Sequence, residues 1–315
     1  MNRVIAVVLA VIAGLSIATQ AKGIGPFSAF KNGIGARALA MGGAFVAVAD
    51  DANAPQWNPA GVAQLSGTRL AGTSSGLGGI GVASQYVGAV RSFGSFGIGL
   101  GWGHVFFGDD LVGALGESLP RVGQAIVGSL AMNVGVYALA GANVKYYTSE
   151  GGPGVGASGY GIDTGLLLSV DDRLSIGISA IDLVGSAQAR DSGTSDVVPS
   201  SYRAGWAVKL SDERITLATD IVFDGEELGD AHVGVEFQVI DQLALRGGVV
   251  LTDNFQDQYF AVGAGIKIEG LYVDAAYIAQ GELGDTLIIS VESNLPFSGL
   301  SHEEETENLD EEQPE

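Results

Sequence analysis

From residue 67 onward the chain alternates apolar with small or polar residues at a period of two. In 96–102, Phe96, Ile98, Leu100 and Trp102 alternate with Gly97, Gly99 and Gly101. In 202–210, Tyr202, Ala204, Trp206, Val208 and Leu210 form one face, and Arg203, Gly205, Ala207 and Lys209 the other. In 231–239, Val233, Val235, Phe237 and Val239 oppose His232, Gly234, Glu236 and Gln238. In 260–268, Phe260, Val262, Ala264, Ile266 and Ile268 oppose Ala261, Gly263, Gly265 and Lys267. Successive side chains of a strand point to opposite sides of the sheet, so each segment predicts a strand with one apolar face. Many segments exceed the usual strand of about 5–6 residues and approach the about 9–11 that a tilted strand needs to cross a bilayer.

The connections alternate in length. Short ones fall at 93–95, 134–135, 170–173, 210–213, 240–242 and 268–270. Long ones fall at 76–83, 108–123, 149–158, 185–200, 224–229, 252–257 and 280–284. A soluble sandwich alternates apolar and polar residues too, but has no reason to keep short and long loops in phase. Outer-membrane barrels have short periplasmic turns, long outer loops and an even strand number, and about fourteen strands are expected here. The fold class is therefore all-β, a transmembrane antiparallel β-barrel in the bacterial outer membrane. An even count leaves both termini periplasmic.

If the apolar faces meet lipid, the opposite faces line the lumen. They collect Lys145, Asp163, Arg203, Lys209, Asp220, His232, Glu236, Arg246, Lys267, Asp274 and Glu292. Mixed signs suit paired charges around an internal segment better than a selectivity ring of one sign. Glycine on inward faces leaves room for such a segment, and Arg37 in it is a partner for a lumen carboxylate.

The ends are different. Residues 1–21 read as a secretory signal, with Arg3 ahead of an apolar run and a small-residue site at Thr19-Gln20-Ala21. Residues 22–66 are an N-terminal segment ahead of the barrel, 67–297 the expected barrel, and 298–315 an expected acidic disordered tail. Composition narrows the function. The chain of 315 residues has 49 Gly, no Cys and a net charge of −21. Without cysteine there is no disulfide or thiolate chemistry, and an acidic chain lacks the Lys/Arg clusters that nucleic acid needs.

Residues 35–63 carry the most specific pattern. Gly42-Gly43 separates a helix-compatible run, 36–41, from an apolar strand-like run, 44–49. Asn58-Pro59-Ala60 has the chemistry of a helix start, Asn as cap and Pro in the first turn. The string Gly35, Arg37, Met41 to Asp51 and Trp57 to Gly61 resembles the N-terminal plug of FadL-like outer-membrane barrels, especially the PorV/PorQ-type branch. Phe297, ending the last expected strand, resembles the terminal aromatic of such barrels, although residues follow it. The resemblance implies a plug whose gating element includes Gly42, Gly43, Asn58, Pro59 and Ala60. It implies passage of a hydrophobic small molecule such as a fatty acid or hydrocarbon. The alternative is a barrel that partners a type IX-like secretion system or its cargo. In the loop 108–123, Leu111, Val112, Leu115 and Leu119 have approximate helical spacing and are candidate apolar contacts for a ligand entering from outside.

No enzyme is expected. No serine lies in a G-x-S-x-G elbow, and His104, His232 and His302 show no metal-ligand spacing. His232 and Glu236 read as lumen contacts rather than a catalytic pair. No cofactor or metal is implied.

Overall fold

The computed structural model describes residues 33–77, 82–107, 122–150, 156–184, 187–190, 195–197, 200–225, 227–252, 257–279 and 285–295. The expected signal, the acidic tail, Phe297 and the loop residues Leu111, Val112, Leu115 and Leu119 lie outside these residues.

The wall consists of β1 (Thr68–Leu77), β2 (Val82–Ser92), β3 (Phe96–Phe107), β4 (Val122–Gly135), β5 (Ala138–Glu150), β6 (Gly156–Ser169) and β7 (Leu174–Ile181). After a small hairpin, β8 (Ala187–Arg190) and β9 (Ser195–Val197), it continues with β10 (Ser201–Leu210), β11 (Ile215–Asp224) and β12 (Glu227–Ile240). The last strands are β13 (Leu243–Thr252), β14 (Asp257–Ile268), β15 (Leu271–Ala279) and β16 (Thr286–Leu295). Each wall strand pairs antiparallel with its neighbours, β16 pairs with β1, and the cylinder is a closed barrel of 14 strands. Closure leaves no edge strand open to the membrane, the condition for a sheet to survive in lipid.

The alternation decides which face goes where. On β3, Ile98, Leu100 and Trp102 stay exposed while Gly97 and Gly101 are buried inside. Val233, Val235 and Phe237 of β12 likewise face out. Aromatic side chains flank this apolar band at both ends. Phe93, Phe96 and Tyr137 stand near the short turns, and Phe106, Tyr146, Tyr160 and Phe260 near the long connections. Such girdles mark the two interfaces of a membrane barrel. Among the described residues no helix is long and apolar enough to cross a membrane.

Three details differ from the sequence reading. The β4–β5 turn falls at Val136-Tyr137 rather than 134–135, because a register shift between Asn133 and Gly135 extends β4. The connection expected to be long at 224–229 is a tight turn. β11 and β12 stay paired through a shift near Val222 up to Asp224 opposite Glu227. The connection after β7 carries a hairpin of its own, and its first strand adds to β6 at Ala157 and Ser158.

That hairpin marks a seam. β6 pairs along its whole length with β5, but with β7 only from Thr164 to Ser169. Among the described residues, no ladder partner lies on the far side of β6 between Thr164 and Ser158, and one backbone bond, Leu183 N–H to the Ile162 carbonyl at 2.8 Å, bridges the interval.

Candidate functional site: the plug and its collar

Residues 33–66 fill the lumen. The helix Ala36–Ala40 follows Gly35, whose φ of 99° few L-residues adopt. Residues 44–49, expected as a strand, instead fold into turns: Val48 and Ala49 both donate to the Phe45 carbonyl. A strand there would leave its ladder groups unpaired inside a barrel that has already paired its own. A short helix, Ala54–Trp57, precedes the 3-10 turn Pro59–Gln64.

Asn58 is the knot of this segment. Fully buried, its side chain accepts from Ala60 N–H at 3.1 Å, capping the 3-10 turn as the sequence suggests. Its amide also donates to the Val46 carbonyl of the plug and the Leu166 carbonyl of β6, both at 2.9 Å. One side chain thus joins two parts of the plug to the wall. An aspartate would cap the turn equally well but could make neither donation.

Inward glycines form a fitted collar. A Cβ on Gly165 would stand 2.1 Å from Asn58 Oδ1, one on Gly141 2.4 Å from the Pro59–Ala60 peptide, and one on Gly177 2.1 Å from the Val46 carbonyl oxygen. Across the lumen, Gly234 and Gly248 leave the same room for Met41 and Gly42. The wall therefore touches the plug backbone directly, with no side chain between.

Polar side chains fix the orientation. The Asp220 carboxylate accepts from the amides of Phe45 and Val46, both at 2.9 Å. His232 Nδ1 meets the Gly42 carbonyl at 2.5 Å, which makes that nitrogen the protonated one. Arg37 grips Glu236 through Nε at 2.8 Å and Nη2 at 2.9 Å, and reaches Asp50 at 2.5 Å. Arg246 bridges Glu236 and Asp274, each at 2.6 Å. Through the plug interior runs a stack of rings and cations. Arg37 lies 5.3 Å from the Phe45 ring, Phe45 meets Trp57 edge-on at 5.9 Å, and Arg203 lies 5.0 Å from Trp57.

A second buried group backs the seam. Lys145 bonds Asp163 at 2.6 Å and Asp182 at 3.0 Å, Tyr147 donates to Asp182 at 2.8 Å, and Asn143 joins Asp163 to the Pro55 carbonyl. Gln56, Ser201 and Arg203 complete a cavity of about 10 Å³ beside it, room for a single water.

At the short-turn end the plug leaves a wider vestibule of about 500 Å³. Arg37, Asp50, Asp51 and Asn53 line it from the plug, and Arg69, Glu236, Arg246, Asp274 and Glu292 from the wall. Burial there would lower the pKa of Arg37, but Asp50, Glu236 and Asp51 outweigh it and hold the group firmly charged. Burial and the neighbouring Glu292 raise Asp51 to about 7, against the pull of Arg37.

Sequence reasoning brought Arg37, Arg203, Asp220, His232, Glu236, Arg246 and Asp274 to the lumen, and all contact the plug or one another there. Lys209 and Lys267 share the inward parity and stand at the short-turn mouth, Lys209 beside Glu213 at 3.5 Å and Lys267 lining the vestibule over the Tyr272 ring. Asn143, Tyr147, Asp182 and Arg69 were missed. Asn143, Tyr147 and Arg69 share the inward parity of their strands, which was the available signal. Asp182 follows a strand end in the left-handed region, φ 53°, which parity does not reach.

No family model matches the chain, and no curated protein matches it in sequence. Solved structures do. The Pseudomonas putida toluene transporter TodX aligns over 84% of this chain and 99% of its own, at 13% identity and a TM-score of 0.62. The monoaromatic hydrocarbon channel CymD gives 13% identity and 0.62 over 84% and 98%. A Pseudomonas aeruginosa FadL homologue gives 14% and 0.59 over 83% and 98%. The chain has the FadL-type barrel fold. At such identities the likeness concerns the path of the backbone, and the residues of plug and collar speak for themselves.

Proposed function

We propose that this chain is an outer-membrane channel that passes hydrophobic small molecules through a barrel closed by residues 33–66. The observation that carries the reading is the plug itself: a lipid-facing cylinder whose lumen is filled by a segment bonded to the wall, where an open pore would be lined by water. The fold shared with hydrocarbon channels supports it. The vestibule lined by Arg37, Glu236, Arg246 and Asp274 is a poor straight path for an apolar molecule, which would strip water from those charges. The seam on β6 offers a sideways path, since among the described residues one backbone bond spans the interval between Thr164 and Ser158. Asn58, Pro59, Ala60, Gly42 and Gly43 would then set how the plug yields, and Leu111, Val112, Leu115 and Leu119 would receive the ligand from outside.

Protein reconstituted in lipid vesicles should take up labelled toluene or a medium-chain fatty acid above the level of empty vesicles, and leave labelled glucose outside. Equal rates for hydrophobe and glucose would make it an open pore. None of the similar structures named above is a secretion protein, so the secretion-partner alternative rests on the pattern of residues 35–63. Absence of uptake, with a protein retained in stoichiometric amount on gentle extraction, would establish that alternative. Both termini are proposed to be periplasmic, and a protease added to intact cells should then leave residues 298–315 uncut.

A further inference from the structure

The plug is not held equally everywhere. Along most of its path the wall backbone abuts it, as Gly177 and Gly248 show, and it has no space to move into. The turn 50–53 is different, because the vestibule of about 500 Å³ opens beside it towards the short turns. Its bonds are ionic. Asp50 holds Arg37, its carbonyl accepts from Arg69 at 3.2 Å, and Ala52 N–H donates to Glu292 at 2.8 Å. Ala49, which leads into the turn, has a φ of 33°, unfavourable for a residue with a Cβ.

Asp51 is the odd member. Arg37 spends its nitrogens on Glu236 and Asp50 and stands 3.9 Å from Asp51, while Arg69 is engaged by Glu292 at 3.0 Å. The bond the Asp51 carboxylate does accept is the local one from Asn53 N–H at 2.8 Å. The charged and titratable groups around it are Arg37 from the plug helix, Asp50 beside it, Glu292 from β16, Arg69 from β1 and Tyr86 from β2. Two acids therefore crowd Asp51, and both nearby cations are already committed. A proton on Asp51 removes the repulsion and lets Ala52 stay on Glu292.

We propose that the turn 50–53 is a proton-operated latch of the plug: with Asp51 protonated it is seated on Glu292 and Arg69, and with Asp51 ionised it swings into the vestibule. The elevated pKa of Asp51 supports this and sets the change near neutral pH.

The chain has no cysteine, so single introduced thiols report without background. Full-length protein in nanodiscs would carry Ala52→Cys, buried in the latch, or Val136→Cys, exposed on a turn. The ratio of their rates with a water-soluble maleimide cancels the common effect of pH on thiol ionisation. Between pH 5.5 and 8.5 that ratio should rise at least tenfold, and stay flat when Asp51→Asn is added. A flat ratio without Asp51→Asn, or an equal rise with it, overturns the latch. If Ala52→Cys fails to fold, potassium chloride conductance of the cysteine-free protein in planar bilayers replaces it. Conductance should rise with pH in the parent and not in Asp51→Asn, and identical profiles overturn the proposal. Neither readout involves a hydrophobic permeant, so failure of the latch and failure of the transport reading are separate results.

Discussion

At the scale of single residues, the plug depends on a few side chains that serve several backbone groups at once. Asn58→Ala would strip bonds from the Val46 and Leu166 carbonyls and the Ala60 amide, all deeply buried. Leaving such groups unsatisfied is expected to lower stability by about 3 kcal/mol, read from denaturant unfolding in vesicles. Asn58→Asp should fall short of wild type as well, since it restores the cap and neither donation. Lys145→Met leaves Asp163 and Asp182 facing each other without their cation, and a loss of about 3–5 kcal/mol is expected in the same assay. The Asp51 carboxyl binds its proton more tightly in the folded protein than its ordinary value of 3.8 would allow. The native state thus retains a proton that the unfolded chain has released. Asp51 should therefore contribute stability that falls as pH rises from about 4 to about 7 and levels off above, and Asp51→Asn should remove that contribution and flatten the slope accordingly.

At the scale of elements, the wall and the plug share one surface, and the collar glycines are where they meet. Gly141→Ala places a methyl against the Pro59–Ala60 peptide, where backbone on both sides has little freedom to yield. The expected outcome is a displaced plug, seen as a raised leak of potassium chloride across planar bilayers. Gly72 and Gly76 on β1 have open space around their missing Cβ, so alanine there should leave the leak unchanged. The turn rhythm, strand periodicity and the Asn-Pro cap were legible because they are local. The seam on β6 was not, because it arises from β7 being shorter than β6 and from a hairpin inserted in a connection that pattern alone reads as loop.

For the whole molecule, the question is which face meets lipid. Leu100 points outward from β3 and is 64% exposed, whereas its neighbour Gly101 faces the lumen beside Tyr86. Leu100→Arg should destabilise the barrel by about 2–4 kcal/mol if it lies near the bilayer midplane, measured by reversible unfolding into lipid. A soluble fold would tolerate it with little loss. Closure by β16 on β1 joins residues from opposite ends of the barrel sequence, so the cylinder can be complete only when all its hairpins are in register.

The amino-acid sequence by itself determined the class of structure: period-two alternation makes strands with one apolar face, and the loop rhythm makes those strands cross a membrane back and forth. It also marked Arg37 as a cation in need of a carboxylate and Asn58 as a cap. The partners were decided by the tertiary structure, since Arg37 and Glu236 stand 199 residues apart in the chain. Which inward glycines touch the plug, why Lys209 and Lys267 end at the mouth, and why 44–49 turns instead of extending all depend on barrel curvature and strand stagger. Those are properties of the closed cylinder, and no local window of residues contains them.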